Sequence, residues 1–119
     1  MVEEDCFLKQ FDAILMRGIL KIMIMGHLKR KGAYPYAMLK HFKGSIHPGL
    51  SKLKKSDMYN AIKSLESEGF IKYQMMTKGT RALKRYQLTP KGLKVMNASK
   101  KIGLKALADI RRLIESEFK

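Results

Sequence analysis

The chain has 119 residues, 45% of them hydrophobic, and a formal net charge of +15; that length suits one compact domain with an extension, and the apolar fraction is too high for a disordered tail. No apolar run approaches the ~20 residues a bilayer-spanning helix needs, and the start, Met1-Val2-Glu3-Glu4-Asp5, is acidic rather than signal-like. Cys6 is the only cysteine, which excludes an internal disulfide and a cysteine-built zinc cage, so a soluble cytoplasmic protein with no membrane partner is expected.

Phe7, Leu8, Phe11, Ile14, Leu15, Ile19, Ile22 and Met23 recur at helical spacing, and Leu20, Ile24 and Leu28 widen the apolar arc. Residues 6–30 are therefore predicted as a helix buried on more than one side. Lys29-Arg30-Lys31 places cations at its carbonyl end, and Gly32 suits its stop. Tyr34-Pro35 opens a short second helix reaching about Phe42, with proline in the first turn and Tyr36, Leu39 and Phe42 facing inward. Lys43 to Leu50 reads as a loop, and Leu53 as its anchor to the core.

A third helix follows from Lys55 to Glu68. Ser56 is expected as its N-cap, and Asp57 adds a negative charge where the helix dipole favours one. Met58, Ile62 and Leu65 form one inward stripe, whereas Tyr59, Asn60, Lys63 and Ser64 turn away from it. Gly69 takes the position after the last turn. Two short runs, Phe70 to Met75 and Leu83 to Leu88, then make a hairpin joined by the basic connector Thr77-Lys78-Gly79-Thr80-Arg81.

Thr89-Pro90-Lys91-Gly92 supplies a cap, a first-turn proline and a helix start, and the chain is expected to stay helical from Leu93 to its end. On that last helix Met96, Gly103, Leu107, Ile110 and Ile114 make a rough heptad-like stripe, supplemented by Leu104 and Phe118. Such a stripe packs on a second copy or folds back on its own domain; a homodimer is the expectation. The fold class is thus mainly α with a small β-hairpin. Residues 1–92 form a winged helix-turn-helix DNA-binding domain with an N-terminal helix, and residues 93–119 a long C-terminal dimerisation helix.

The charge is unevenly placed. Residues 29–92 hold 15 Lys or Arg against Asp57, Glu66 and Glu68, whereas residues 1–28 hold three cations and four anions. The excess therefore sits on the helix-hairpin segment, which points to a polyanion, with double-stranded DNA ahead of a membrane surface; the alternative is a solubilising lysine-rich face. In a winged helix the third helix enters the major groove and the wing tip meets the backbone or the neighbouring minor groove. Ser56, Asn60 and Lys63 then reach base edges, Asn60 suiting adenine and Lys63 guanine. Tyr59 either meets a phosphate or sugar or packs against a neighbouring helix. Lys54 and Lys55, with Lys52, clamp phosphates at the entry to the helix, and Lys78, Arg81, Lys84 and Arg85 form the cationic set of the wing. Arg85 has a second option, an internal pair with a carboxylate.

There is no P-loop, dinucleotide fingerprint, His-Glu-x-x-His or nucleophile elbow, and His27, His41 and His47 are scattered. No enzyme activity, metal or cofactor is expected. A low-specificity architectural DNA-binding protein and a winged-helix module for a protein partner remain the competing functions.

Four blocks also resemble the PadR family of winged-helix transcriptional regulators. Met16-Arg17-Gly18-Ile19-Leu20 opens the first core helix, and Tyr34-Pro35-Tyr36-Ala37-Met38 falls where the family carries a glycine-tyrosine pair. Asp57-Met58-Tyr59-Asn60-Ala61-Ile62 with Leu65 to Ile71 covers the recognition helix and the wing entry, and Arg85 to Gly92 closes the wing. The resemblance spans roughly residues 15–92. It implies a dimeric DNA-binding regulator, often a repressor, whose C-terminal helix contributes to dimerisation. The short single-helix tail is similar to the smaller branch, some members of which bind flat aromatic drugs between subunits, so a small-molecule effector stays open. Two departures stand out: Pro35 replaces the usual glycine, and there is no Trp, the residue with which the drug-sensing members stack their ligand.

Overall fold

The computed structural model describes residues 18–45, 50 and 53–117. Residues 6–17 of the expected first helix, Cys6, the loop residues around His47, Lys52 and Phe118 lie outside the described residues. The first helix, α1, covers residues 18–30; α2 is Pro35–Lys43, α3 Lys55–Ser67, β1 Ile71–Lys78, β2 Arg81–Leu88 and α4 Pro90–Glu117.

The core forms where the apolar stripes of α1, α2 and α3 meet the hairpin and the first turns of α4. Leu20, Ile24 and Leu28 come from α1, Met38 and Phe42 from α2, Met58, Ile62 and Leu65 from α3, Ile71 and Tyr86 from the hairpin, and Met96 from α4. Ile24, Met38, Met58, Ile62 and Ile71 are the bulkiest fully buried side chains. Leu50 and Leu53 are buried as well, so the α2–α3 connection is anchored as the sequence suggested. The phase of α2 differs from expectation. Pro35, Met38 and Phe42 are buried and Leu39 packs against the core as expected, while Tyr36 is 53% exposed. Met38 lies one turn on from Pro35, so once the proline is buried the same face carries Met38 and Phe42 inward and turns Tyr36 out.

Helix α3 begins at Lys55, two residues earlier than a Ser56 cap would place it. Ser56 is instead an exposed first-turn residue. The start is secured from inside, by the Asp57 carboxylate accepting the Lys54 amide at 3.1 Å, because a charged acceptor three residues in both satisfies a free amide and opposes the dipole. Gly69 ends the helix at φ +79°, a conformation that glycine adopts without steric cost.

The hairpin is longer and its turn tighter than expected. Pairing runs from Ile71↔Leu88 through Tyr73↔Tyr86 to Lys78↔Arg81, so Thr77, Lys78 and Arg81 belong to strands and only Gly79 and Thr80 turn. Gly79, at φ +63°, stands where a type II′ turn takes glycine. Ala33 bridges the outer edge of β2: its amide donates to the Tyr86 carbonyl at 3.0 Å and its carbonyl accepts the Tyr86 amide at 2.8 Å. That bridge brings the α1–α2 corner against the wing.

Thr89 works as the sequence suggested. Its Oγ1 accepts the Gly92 amide at 3.0 Å and donates to the Gly69 carbonyl at 2.7 Å, tying the end of α3 to the start of α4. Lys91 Nζ caps the Glu68 carbonyl at 2.8 Å. Gly92 is required by close approach, since a Cβ there would lie 2.0 Å from the Phe70 carbonyl oxygen. Past Met96, α4 leaves the core. Its 28 residues run for about 42 Å at 1.5 Å each, which explains a radius of gyration of 16.6 Å where a compact chain of this length has about 13–14 Å. None of the helices among the described residues is long and apolar enough to cross a membrane.

Candidate nucleic-acid interface

The outward face of α3 follows from its inward one. With Met58, Ala61, Ile62 and Leu65 buried, the helical period leaves Ser56, Asn60 and Lys63 on an exposed line, with Tyr59 beside it at 45% exposure. Lys54 and Lys55 stand exposed at the positive end of the helix. Lys55 Nζ lies 5.7 Å from the centre of the Tyr59 ring, so Tyr59 joins the exposed surface rather than the core. Ser64 turns toward α1, where Lys21 Nζ donates to its hydroxyl at 2.8 Å.

The wing cations divide into two sets. Lys78 and Arg81 are cross-strand partners flanking the turn. Lys78 Nζ rests 4.7 Å from the Tyr34 ring centre and Lys84 Nζ 4.4 Å from that of Tyr73. Arg85 is different. Successive strand residues point to opposite faces, and Tyr86 and Lys84 share the face on which Tyr86 donates to Glu66 of α3 at 3.3 Å. Arg85 points the other way, into a groove with Leu28, Lys29, Gln87 and Leu93. Its guanidinium covers Gly32, where an added Cβ would lie 2.6 Å from the guanidinium carbon. Among the described residues no carboxylate lies within ion-pairing distance of it. The internal pair considered for Arg85 is therefore not formed with any described residue, and its side chain points away from that of Lys84.

Two of the three carboxylates of the basic segment are engaged within the fold. Asp57 caps α3 and Glu66 receives the Tyr86 hydroxyl. Burial, and then the Glu66 charge and hydrogen bond, push the Tyr86 phenol up to about 12. Two of the three histidines also find a structural setting. His27 and His41 lie with ring centres 5.1 Å apart, and Phe42 meets the His27 ring edge-on at 5.9 Å. His27 Nδ1 is buried without a hydrogen-bond partner among the described residues, and burial, then the nearby His41, Arg30 and Lys31, hold its pKa below the usual histidine value. No group of three or more metal-ligating side chains occurs among the described residues.

Two residues escaped selection from the sequence, Tyr34 and Tyr36, whose rings stack at 5.7 Å beside the wing. Their signal was available: all the tyrosines fall between 34 and 86, inside the basic segment. On α4, Met96 is 6% exposed and belongs to the core of its own domain, so it is not available to an intersubunit stripe. Gly103, Leu107, Ile110 and Ile114 lie beyond the core, with Leu107 58%, Ile110 46% and Ile114 48% exposed. Phe118 lies outside the described residues.

Residues 24–98 match the model of the family described as "Transcriptional regulator PadR-like family". No curated protein sequence matches the chain. Among solved structures, a PadR family transcriptional regulator from Eggerthella lenta is 23% identical, covering 97% of this chain and 98% of its own with a TM-score of 0.86. One from Clostridium difficile is 24% identical over 81% of this chain and 98% of its own, with a TM-score of 0.66. Bacillus subtilis PadR, solved in complex with operator DNA, is 30% identical over 67% of this chain and 46% of its own, with a TM-score of 0.59. The winged helix, its wing and the free terminal helix thus agree with the sequence match: the chain belongs to the PadR-like family of transcriptional regulators.

Proposed function

We propose that the chain is a sequence-specific DNA-binding regulator that works as a homodimer on a two-fold operator and represses by occupying a promoter. The observation that carries this is the cationic surface that α3 and the wing present together: Lys54, Lys55, Lys63, Lys78, Arg81 and Lys84 are all exposed, and none has a carboxylate partner among the described residues. Asn60 and Lys63 reach base edges from α3, whereas the other cations hold phosphates and set the register. The operator complex of Bacillus subtilis PadR supports the same partner. The homodimer is supported by the stripe Gly103, Leu107, Ile110 and Ile114, which one chain leaves uncovered.

The test is binding to a randomised duplex pool at increasing salt, with the bound fraction sequenced. A two-fold motif with half-sites about one helical turn apart is the expected result. Neutralising about six phosphates should give a log–log salt slope near −5. Tight binding without enrichment would replace this function with an architectural one, which the net charge of +15 favours. Failure to bind any duplex at low salt would overturn both.

A further inference from the structure

All five tyrosines of the chain gather at one corner of the molecule, although they are spread from 34 to 86 in sequence. Tyr34, Tyr36, Tyr59 and Tyr86 line a cleft of about 330 Å³ between the start of α2, the outer side of α3 and strand β2, with Lys84 at its wall. Tyr73 packs behind, its ring centre 5.8 Å from that of Tyr86. Only Tyr86 is a core residue; Tyr36, Tyr59 and Tyr73 are 53%, 45% and 42% exposed. Packing the core does not account for aromatic rings held at the surface in this way.

The chemistry around the cleft is that of anion recognition. Lys55, Lys78 and Lys84 each rest on a tyrosine ring, those of Tyr59, Tyr34 and Tyr73. An exposed cation–π contact is worth about 0.5–1 kcal/mol, enough to bias where a lysine points but too little to keep it from a phosphate. Helix α2 starts at the same place, with Tyr34 as N-cap residue and no side-chain cap bond. The amides of its first turn are thus left to solvent or to an anion, as helix starts favour. A duplex phosphate satisfies hydroxyls, lysines and amides together without any base leaving its stack.

We propose that this cleft seats a backbone phosphate of the bound duplex, with the Tyr36 and Tyr59 hydroxyls as donors. Tyr34 is the positioning residue that holds Lys78, and with it the wing, toward the same strand. The inference rests on the DNA-binding function proposed above and names a grip on the backbone that the start of α2 completes together with α3 and the wing.

The experiment measures affinity against salt for the full chain, on a duplex recovered from the selected pool and on a scrambled duplex of equal length. Thermal melting of each variant confirms folding. Tyr36→Phe and Tyr59→Phe should each weaken both duplexes about three- to tenfold and leave the salt slope unchanged, because no charge is lost. Tyr34→Phe, which keeps the ring, should bind as the unaltered chain does. Tyr34→Ala should weaken binding about as much as Lys78→Gln, and the double variant no more than Lys78→Gln alone, as coupled residues require. If the unaltered chain binds and every tyrosine variant stays within about twofold of it, the inference falls while DNA binding stands. Weakening on the selected duplex alone would assign the tyrosines to base edges and also overturn it. Full additivity of Tyr34→Ala and Lys78→Gln would remove the positioning role, and absence of any duplex binding by the unaltered chain would overturn the inference together with the function beneath it.

Discussion

The wing and the distal half of α4 both leave the core, one as a two-stranded ribbon and the other as a free helix, and they show solvent opposite chemistry. In β1 only Ile71 is buried, and the ribbon presents Lys72, Lys78, Arg81 and Lys84 with no carboxylate partner among the described residues. Distal α4 settles its charges internally, through Lys105–Asp109 at 3.3 Å and Arg111–Glu115 at 2.9 Å. What it leaves open is apolar: Ile102 is 69%, Leu104 60% and Leu113 64% exposed, beside Leu107, Ile110 and Ile114. A cationic ribbon is stable in water and attracts a polyanion from a distance. A contiguous apolar face is not, and it marks a contact surface. The two extensions thus suit the two partners proposed above, nucleic acid for one and an apolar helix for the other.

The largest effect should come from charging the apolar extension. Leu107→Asp with Ile114→Asp is expected to give a monomer in sedimentation and to weaken operator binding about 100-fold or more, through loss of the second half-site. A dimer that survives this change would break the comparison.

Next come the two glycines of α4, which separate its packed start from its free end. Gly92→Ala pushes a Cβ onto the Phe70 carbonyl and should destabilise the fold by about 1–3 kcal/mol in urea unfolding. Gly103→Ala meets nothing within 4 Å and should stabilise the isolated helix by up to about 1 kcal/mol. If Gly103→Ala instead lowers the dimer's melting temperature, the helices approach closely at that position.

On the wing, Arg81→Gln should reduce the magnitude of the salt slope by about 1 and weaken all duplexes alike. Arg85→Gln should leave the slope unchanged, since the Arg85 guanidinium lies over Gly32, away from the wing tip. Equal slopes for the two variants would erase the distinction between the wing tip and the groove beside Gly32.

The smallest effect belongs to the core from which both extensions spring. Because burial, then His41, Arg30 and Lys31, depress the His27 pKa in the folded state, the unfolded chain binds the proton more readily. The stabilisation is complete above the ordinary value of 6.5 and is lost as pH falls through the depressed one. Melting followed from pH 7.5 down to pH 5 should therefore show a decline that His27→Gln flattens. At the alkaline end, the Tyr86 phenol should titrate near 12, and Tyr86→Phe should remove that step.

Much of this fold was legible in the chain because its rules act over a few residues. Gly69, the Thr89-Pro90 start and the Met58–Ile62–Leu65 stripe each encode a local hydrogen-bond or periodicity constraint, and the structure places them accordingly. The hairpin was readable, but its turn shrank to Gly79 and Thr80 because strand pairing continues wherever nothing interrupts it. Helix phase was harder. Tyr36 and Met38 are both plausible inward residues of α2, and the buried Pro35 decides between them. Ser56 has good cap chemistry, but Asp57 reaches back to the Lys54 amide and the helix starts earlier.

By itself, then, the sequence determined the element order, the basic helix-and-wing segment and an apolar terminal helix, since composition and short-range spacing suffice for each. Only the tertiary structure decided that Met96 belongs to the core, that the Arg85 guanidinium covers Gly32, and that five separated tyrosines share one corner. The Ala33–Tyr86 bridge and the packing of α3 under the wing bring those residues together, and contacts between distant segments leave no local pattern from which they can be read.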